Sequence, residues 1–145
     1  LHDALPISRT DLSGANLYGA NLYGANLSRV INFEKIKAKF CILADGDIIG
    51  WKKINNHIIK LLIPMEAKRV NALSSRKCRA EWVQVLEIRN ITTNEEVKSI
   101  TGGYDSNFTY IVGERINPDS FNDSVLEVCT NGIHFFITKQ EALDY

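Results

Sequence analysis

Cys129 and His134 stand five residues apart in Cys129-Thr130-Asn131-Gly132-Ile133-His134, and no other cysteine and histidine in the chain are so close. A thiol beside an imidazole can form a nucleophile with its own base. A structural reading competes with this one. If residues 133–137 form a strand, alternation puts His134 on a face with Phe136, and Ile133, Phe135 and Ile137 on the other. His134 is then a hydrogen-bonded member of a sheet and Cys129 a small buried group. The structural reading is favoured, and Cys129 with His134 as catalytic pair is the alternative. Zinc needs three or four ligands. Cys78, Cys129 and His134 are available, but no Cys-x-x-Cys pair exists, so no metal site is expected.

The second chemical candidate is basic. Lys68-Arg69 and Arg76-Lys77-Cys78-Arg79 flank a polar stretch that carries Asn71, Ser74 and Ser75. Guanidinium and ammonium groups around such a loop can hold a phosphate or carboxylate, arginine in bidentate fashion. The expected anion contacts are Lys68, Arg69, Arg76 and Arg79, with Tyr104 and His134 shaping the pocket. Tyr104-Asp105-Ser106-Asn107 reads equally well as a turn whose side chains satisfy backbone groups. No Gly-rich phosphate loop is present and no cofactor is expected.

Charge frames these candidates. The 145 residues have a formal net charge of zero. Residues 51–89 nonetheless carry nine basic side chains against three acidic, and residues 90–145 carry three basic against nine acidic. Pairing of the basic middle with the acidic tail is the preferred explanation, ahead of a free basic face. A net charge of zero, without interleaved aromatic and basic residues, argues against nucleic acid as a partner. Three widely spaced cysteines point to free thiols and a reducing, cytoplasmic setting. No apolar run is long enough to span a membrane.

The elements that must position these groups are short. Residues 48–51 and 58–63 read as a hairpin around Asn55-Asn56, closed by Pro64. Residues 64–69 read as a short helix with proline at its first position, and residues 71–78 as a polar loop. Residues 79–89 are the strongest strand, with Trp82, Gln84, Leu86 and Ile88 on one face and Val83, Val85 and Glu87 on the other. Gly102-Gly103 marks a bend and residues 108–112 another strand. Residues 118–128 read as a turn or helical segment, and 133–137 as a late strand. Thr138 with Glu141 forms a capping box that opens a final helix. Strands and helices do not alternate regularly, which predicts a mostly β or α+β domain with antiparallel pairing over residues 45–145.

The front of the chain is built differently. Leu recurs at 12, 17, 22 and 27, with a small residue (Thr10, Ala15, Ala20, Ala25) two places before each. Period five is neither helical nor strand-like, so the chain must turn a corner once per unit. The leucines then share one interior column, and Asn, Ser, Tyr and Gly face outward or form corners. These residues resemble the pentapeptide-repeat family, whose unit reads A-[D/N]-L-x-x. The resemblance implies a right-handed quadrilateral β-helix, of which residues 8–40 would be about one coil with a degenerate last side. One coil cannot bury its leucines unaided, so it must lean on further coils or on the domain that follows. Residues 1–7 show no repeat phase and resemble a translated sequencing adapter, so they are expected to be a non-native leader.

A second resemblance covers residues 45–145. Gly46-Asp47-Ile48-Ile49-Gly50-Trp51-Lys52-Lys53, Leu61-Leu62-Ile63-Pro64-Met65-Glu66-Ala67-Lys68-Arg69 and Cys129-Thr130-Asn131-Gly132-Ile133-His134-Phe135-Phe136 look like an uncharacterised domain that follows pentapeptide repeats in viral and bacterial proteins. It implies no activity. The leading expectation is a non-enzymatic binding or scaffolding protein, its solenoid presenting a domain that recognises a small anionic ligand or a protein partner. A Cys/His enzyme and a purely structural cap of the solenoid are the alternatives.

Overall fold

The structure, a computed structural model, describes residues 11–12, 14–22, 25, 27, 30, 45–102 and 108–145. Strands β1 (Ile48–Ile54) and β2 (His57–Ile63) form the expected hairpin, each longer than its apolar core suggests. They pair antiparallel from Ile48 opposite Ile63 to Ile54 opposite His57. Asn55 takes the left-handed conformation at the turn (φ 50°), which asparagine tolerates. Strand β5 (Val83–Asn90) pairs with β2, and β8 (Arg115–Ile116) with β5, giving a four-stranded sheet in the order β1-β2-β5-β8. A second sheet has the order β3-β4-β9, from Arg69–Asn71, Cys78–Ala80 and Ile133–Phe135. Strands β6 (Ser99–Thr101) and β7 (Thr109–Ile111) form a separate pair.

The two larger sheets meet where Trp51 and Phe136 exchange backbone hydrogen bonds, each 2.8 Å. Their common core holds Ile59, Leu61, Ile63, Val83, Val85, Ile88 and Phe135, all essentially inaccessible to water. Helix α1 (Lys139–Asp144) starts at the anticipated capping box, with Thr138 and Glu141 bonded reciprocally. Among the described residues, antiparallel sheets with one short helix agree with the mostly β, α+β expectation.

Four local expectations need correction. Residues 64–69 make a single turn, closed by the Ala67 amide on the Pro64 carbonyl at 2.9 Å. One turn is a costly helix nucleus, and the chain instead enters β3, where β4 supplies partners. The long strand over 79–89 is two strands in different sheets, parted at Glu81-Trp82. Its face assignment fails at a β-bulge: Lys60 opposes Glu87 while Leu61 opposes Val85, leaving Leu86 unpaired and exposed. The extra residue resets the phase, so Val83, Val85 and Ile88 all point into the core. Residues 118–128 contain no helix; their carbonyls are taken up by Arg79 instead.

In the repeat, the amides of Ala15, Ala20, Ala25 and Val30 donate to the carbonyls of Leu12, Leu17, Leu22 and Leu27 at 2.9–3.1 Å. The same turn thus closes once per five residues. Leu27 and Val30 are buried, Leu12, Leu17 and Leu22 are partly buried, and Asn16, Tyr18 and Asn21 are exposed. Leu73, Val125 and Leu126 of the following domain pack onto this apolar row. The Gly19 amide donates to the Ser74 carbonyl at 2.6 Å. Hence the stretch 71–74, read as a loop because it is polar, is buried. The leader (1–7), the degenerate side of the repeat (31–40), Cys41 and Tyr104 lie outside the described residues.

Candidate functional site

Strand β1 carries Ile48, Gly50, Lys52 and Ile54 on one face by strict alternation, and three of the four are core positions. Lys52 therefore stands in the core-facing row. Gly50 leaves room there for Phe135: a Cβ on it would lie 2.5 Å from Phe135 Cδ2 and 2.8 Å from Ile63 Cδ1. Phe135 in turn aligns β9, so that Lys52 Nζ donates to the His134 carbonyl oxygen at 3.3 Å. Just before β4, Lys77 is buried, and its Nζ donates to Tyr145 Oη at 2.7 Å and to Cys129 Sγ at 3.6 Å. It also sits 4.4 Å from the centre of the Tyr145 ring.

Lys52, Lys77, Cys129 and His134 line one cavity of about 650 Å³ between the two sheets, walled on its apolar side by Phe108, Tyr110 and Phe136. Neither lysine has a carboxylate within ion-pair distance among the described residues. Desolvation, with the charge of Lys77 nearby, pulls the Lys52 pKa down to about 8. Desolvation also lowers His134 to about 4, and the positive charges of Lys77, Lys52 and Arg79 add to the shift. Its Nε2 lies 2.5 Å from the Thr130 carbonyl oxygen, which assigns the proton to that nitrogen. Among the described residues the cavity is thus a positively charged, partly apolar recess, with three lysines and one aspartate in its lining. A smaller hollow of about 290 Å³ beside Trp82 is less suited to an anion, because Arg115 is already stacked on the indole at 3.8 Å.

Of the six expected ligand contacts, His134 lines this cavity. Lys68 is exposed and tied through its backbone to Glu81. Arg69 directs its guanidinium to the carbonyls of Gly46, Ile63 and Pro64 at 2.6–3.4 Å. Arg76 pairs with Glu141 at 2.8 Å. Arg79 is fully buried and donates to the carbonyls of Asn122, Ser124, Glu127 and Val128. The basic run does not converge on one pocket. Its guanidiniums hold main chain and tail in place, in line with pairing between the basic middle and the acidic end. Sequence reasoning missed Lys52, although its phase with Ile48 and Ile54 was readable once the strand was extended beyond Trp51. Of the Cys129 and His134 pair, Cys129 is exposed and not the buried group expected; its Sγ accepts from Lys77 Nζ, while His134 Nε2 faces the Thr130 carbonyl.

A five-residue repeat docked on a small antiparallel domain with a basic recess defines a repeat-plus-domain protein of mostly β structure. Residues 38–142 match the family of unknown function DUF5758, and residues 7–31 match pentapeptide repeats, so the chain belongs to the DUF5758 family with repeats in front. The expected fusion is borne out. No curated protein and no solved structure matches the chain. Among the described residues, no helix is long and apolar enough to cross a membrane, and no group of three or more His, Cys, Asp or Glu could hold a metal ion.

Proposed function

We propose that the chain is a non-enzymatic binding module whose globular domain takes a small anion between Lys52 and Lys77. The observation that carries this reading is the pair of ammonium groups facing one cavity without a carboxylate partner among the described residues. Two like charges in a recess repel and are poorly solvated, so an anion that bridges them relieves both costs. The repeat, wound as one coil of a quadrilateral β-helix, seats this domain at its end. The test is calorimetric titration of the full chain with inorganic phosphate. Saturable binding is expected, and Lys52→Met or Lys77→Met should each weaken it about tenfold, since a hydrogen bond to a charged group is worth about 1.5–3 kcal/mol. Absence of binding, or binding by both variants as tight as by the unaltered chain, overturns the reading.

A second reading is favoured by a separate observation. Leu73, Val125 and Leu126 cover the leucine row of the repeat. On this reading the domain is a structural cap of the solenoid, and phosphate binding is irrelevant to its role. Leu73→Asp should then cause the chain to aggregate, as measured by light scattering, while phosphate affinity stays unchanged.

A further inference from the structure

The cavity holds a second chemical possibility, which rests on the anion reading above and deepens it. We infer that Lys52 is the reactive amine of this recess and forms a Schiff base with a carbonyl compound bearing an anionic group and an apolar body. Several features place it there. Lys52 lies in the core-facing row of β1, and its Nζ projects into the cavity with the His134 carbonyl, 3.3 Å away, as its hydrogen-bond partner. Lys77 provides the counter-charge for the anionic group. Its own Nζ is engaged by Tyr145 Oη and Cys129 Sγ. Phe108, Tyr110 and Phe136 offer the apolar wall, and a volume near 650 Å³ accommodates an aromatic ring with its substituents.

Titratable groups on several elements line the cavity with Lys52, and of these Lys77 acts on its protonation. Lys77 precedes β4, His134 lies on β9, Tyr110 on β7 (ring centre 6.0 Å from Nζ), and Asp119 comes from the segment after β8. Burial beside Lys77 favours the neutral amine, a device that activates lysine for carbonyl addition. In the step, the Nζ lone pair forms a bond to the carbonyl carbon. The carbonyl oxygen then takes up the two protons that were on nitrogen and leaves as water with the electron pair of the broken C–O bond. No oxidant or reductant is consumed.

At neutral pH, a pKa of about 8 in place of 10.5 enlarges the neutral fraction by about two orders of magnitude. Lower basicity reduces nucleophilicity, as it does for thiols, so a net gain of roughly tenfold remains. The experiment treats the full chain with 4-formylbenzoate and sodium cyanoborohydride at pH 7 and locates the reduced adduct by peptide mass spectrometry. Lys52 should be modified more than tenfold faster than exposed Lys68 in the same sample. Inorganic phosphate should slow Lys52 alone, and uncharged benzaldehyde, which shares the gain from the neutral amine but not the attraction to Lys77, should show a smaller preference for Lys52. A rate at Lys52 no higher than at Lys68 overturns the inference, as does equal preference with benzaldehyde. If phosphate titrates the site but Lys52 stays unmodified, the imine fails and the anion site stands. If phosphate does not bind, the anion reading itself fails.

Discussion

His134 and Arg79 show how single side chains answer to burial. The imidazole has a pKa of about 4 in the folded chain against 6.5 when unfolded. The unfolded chain therefore binds the proton first as the pH falls. The stability His134 contributes is present above pH 6.5 and is lost between 6.5 and 4. With solvent screening of a partly exposed ring, the loss is about 1–2 kcal/mol. Urea denaturation at pH 7 and pH 4 should show it, and His134→Gln should remove that increment. Lys52 acts at the other end of the scale. Its folded pKa of about 8 lies below 10.5, so its destabilising cost is full below pH 8 and fades as the pH rises to 10.5. A bound anion should raise the lower edge of that window and so reduce the cost. Arg79 is structural: it supplies donors to four carbonyls of the segment 122–128. Arg79→Ala leaves those acceptors unpaired and should cost about 3 kcal/mol or more in urea denaturation.

Among the elements, β1 joins core to cavity. Its even-numbered residues alternate between packing and chemistry, Ile48 and Ile54 flanking Gly50 and Lys52. Gly50→Ala would thrust a methyl group against Phe135 and Ile63. Overpacking of this kind costs about 1–3 kcal/mol. Because Phe135 adjoins His134 on β9, the same substitution should displace the Lys52 contact and weaken phosphate binding along with stability. Thermal denaturation together with phosphate titration of Gly50→Ala checks both effects. The bulge at Leu86 has the opposite character. It restores the inward phase of Ile88 at the cost of one exposed leucine, and Leu86→Thr should be close to neutral in thermal denaturation.

For the whole molecule, the repeat and the domain share an apolar contact centred on Leu73, with Leu27, Val30, Val125 and Leu126. Leu73→Ala should cost about 2–5 kcal/mol of that docking. Hydrogen exchange locates the effect: the turn amides of Ala15, Ala20 and Ala25 should exchange faster, while those of Leu61 and Val85 stay protected. Equal loss of protection in both regions would mean that repeat and domain unfold as one cooperative unit. Retained protection in both would remove Leu73 from the interface.

The sequence by itself determined the recurring turn of the repeat, the β1–β2 hairpin, the antiparallel class and the capping box of α1. All four rest on contacts a few residues apart, or on a periodicity that local backbone geometry enforces. Only the tertiary structure decided which cations find a carboxylate among the described residues. Arg69, Arg76 and Arg79 cluster in sequence, yet each is drawn to carbonyls or a carboxylate far along the chain. Lys52 on β1 and Lys77, just before β4, meet at one recess because Trp51 and Phe136 join the two sheets. Spacing along a chain carries no information about such encounters. They follow from how the sheets pack, which sets which charges meet a carboxylate and which face the recess.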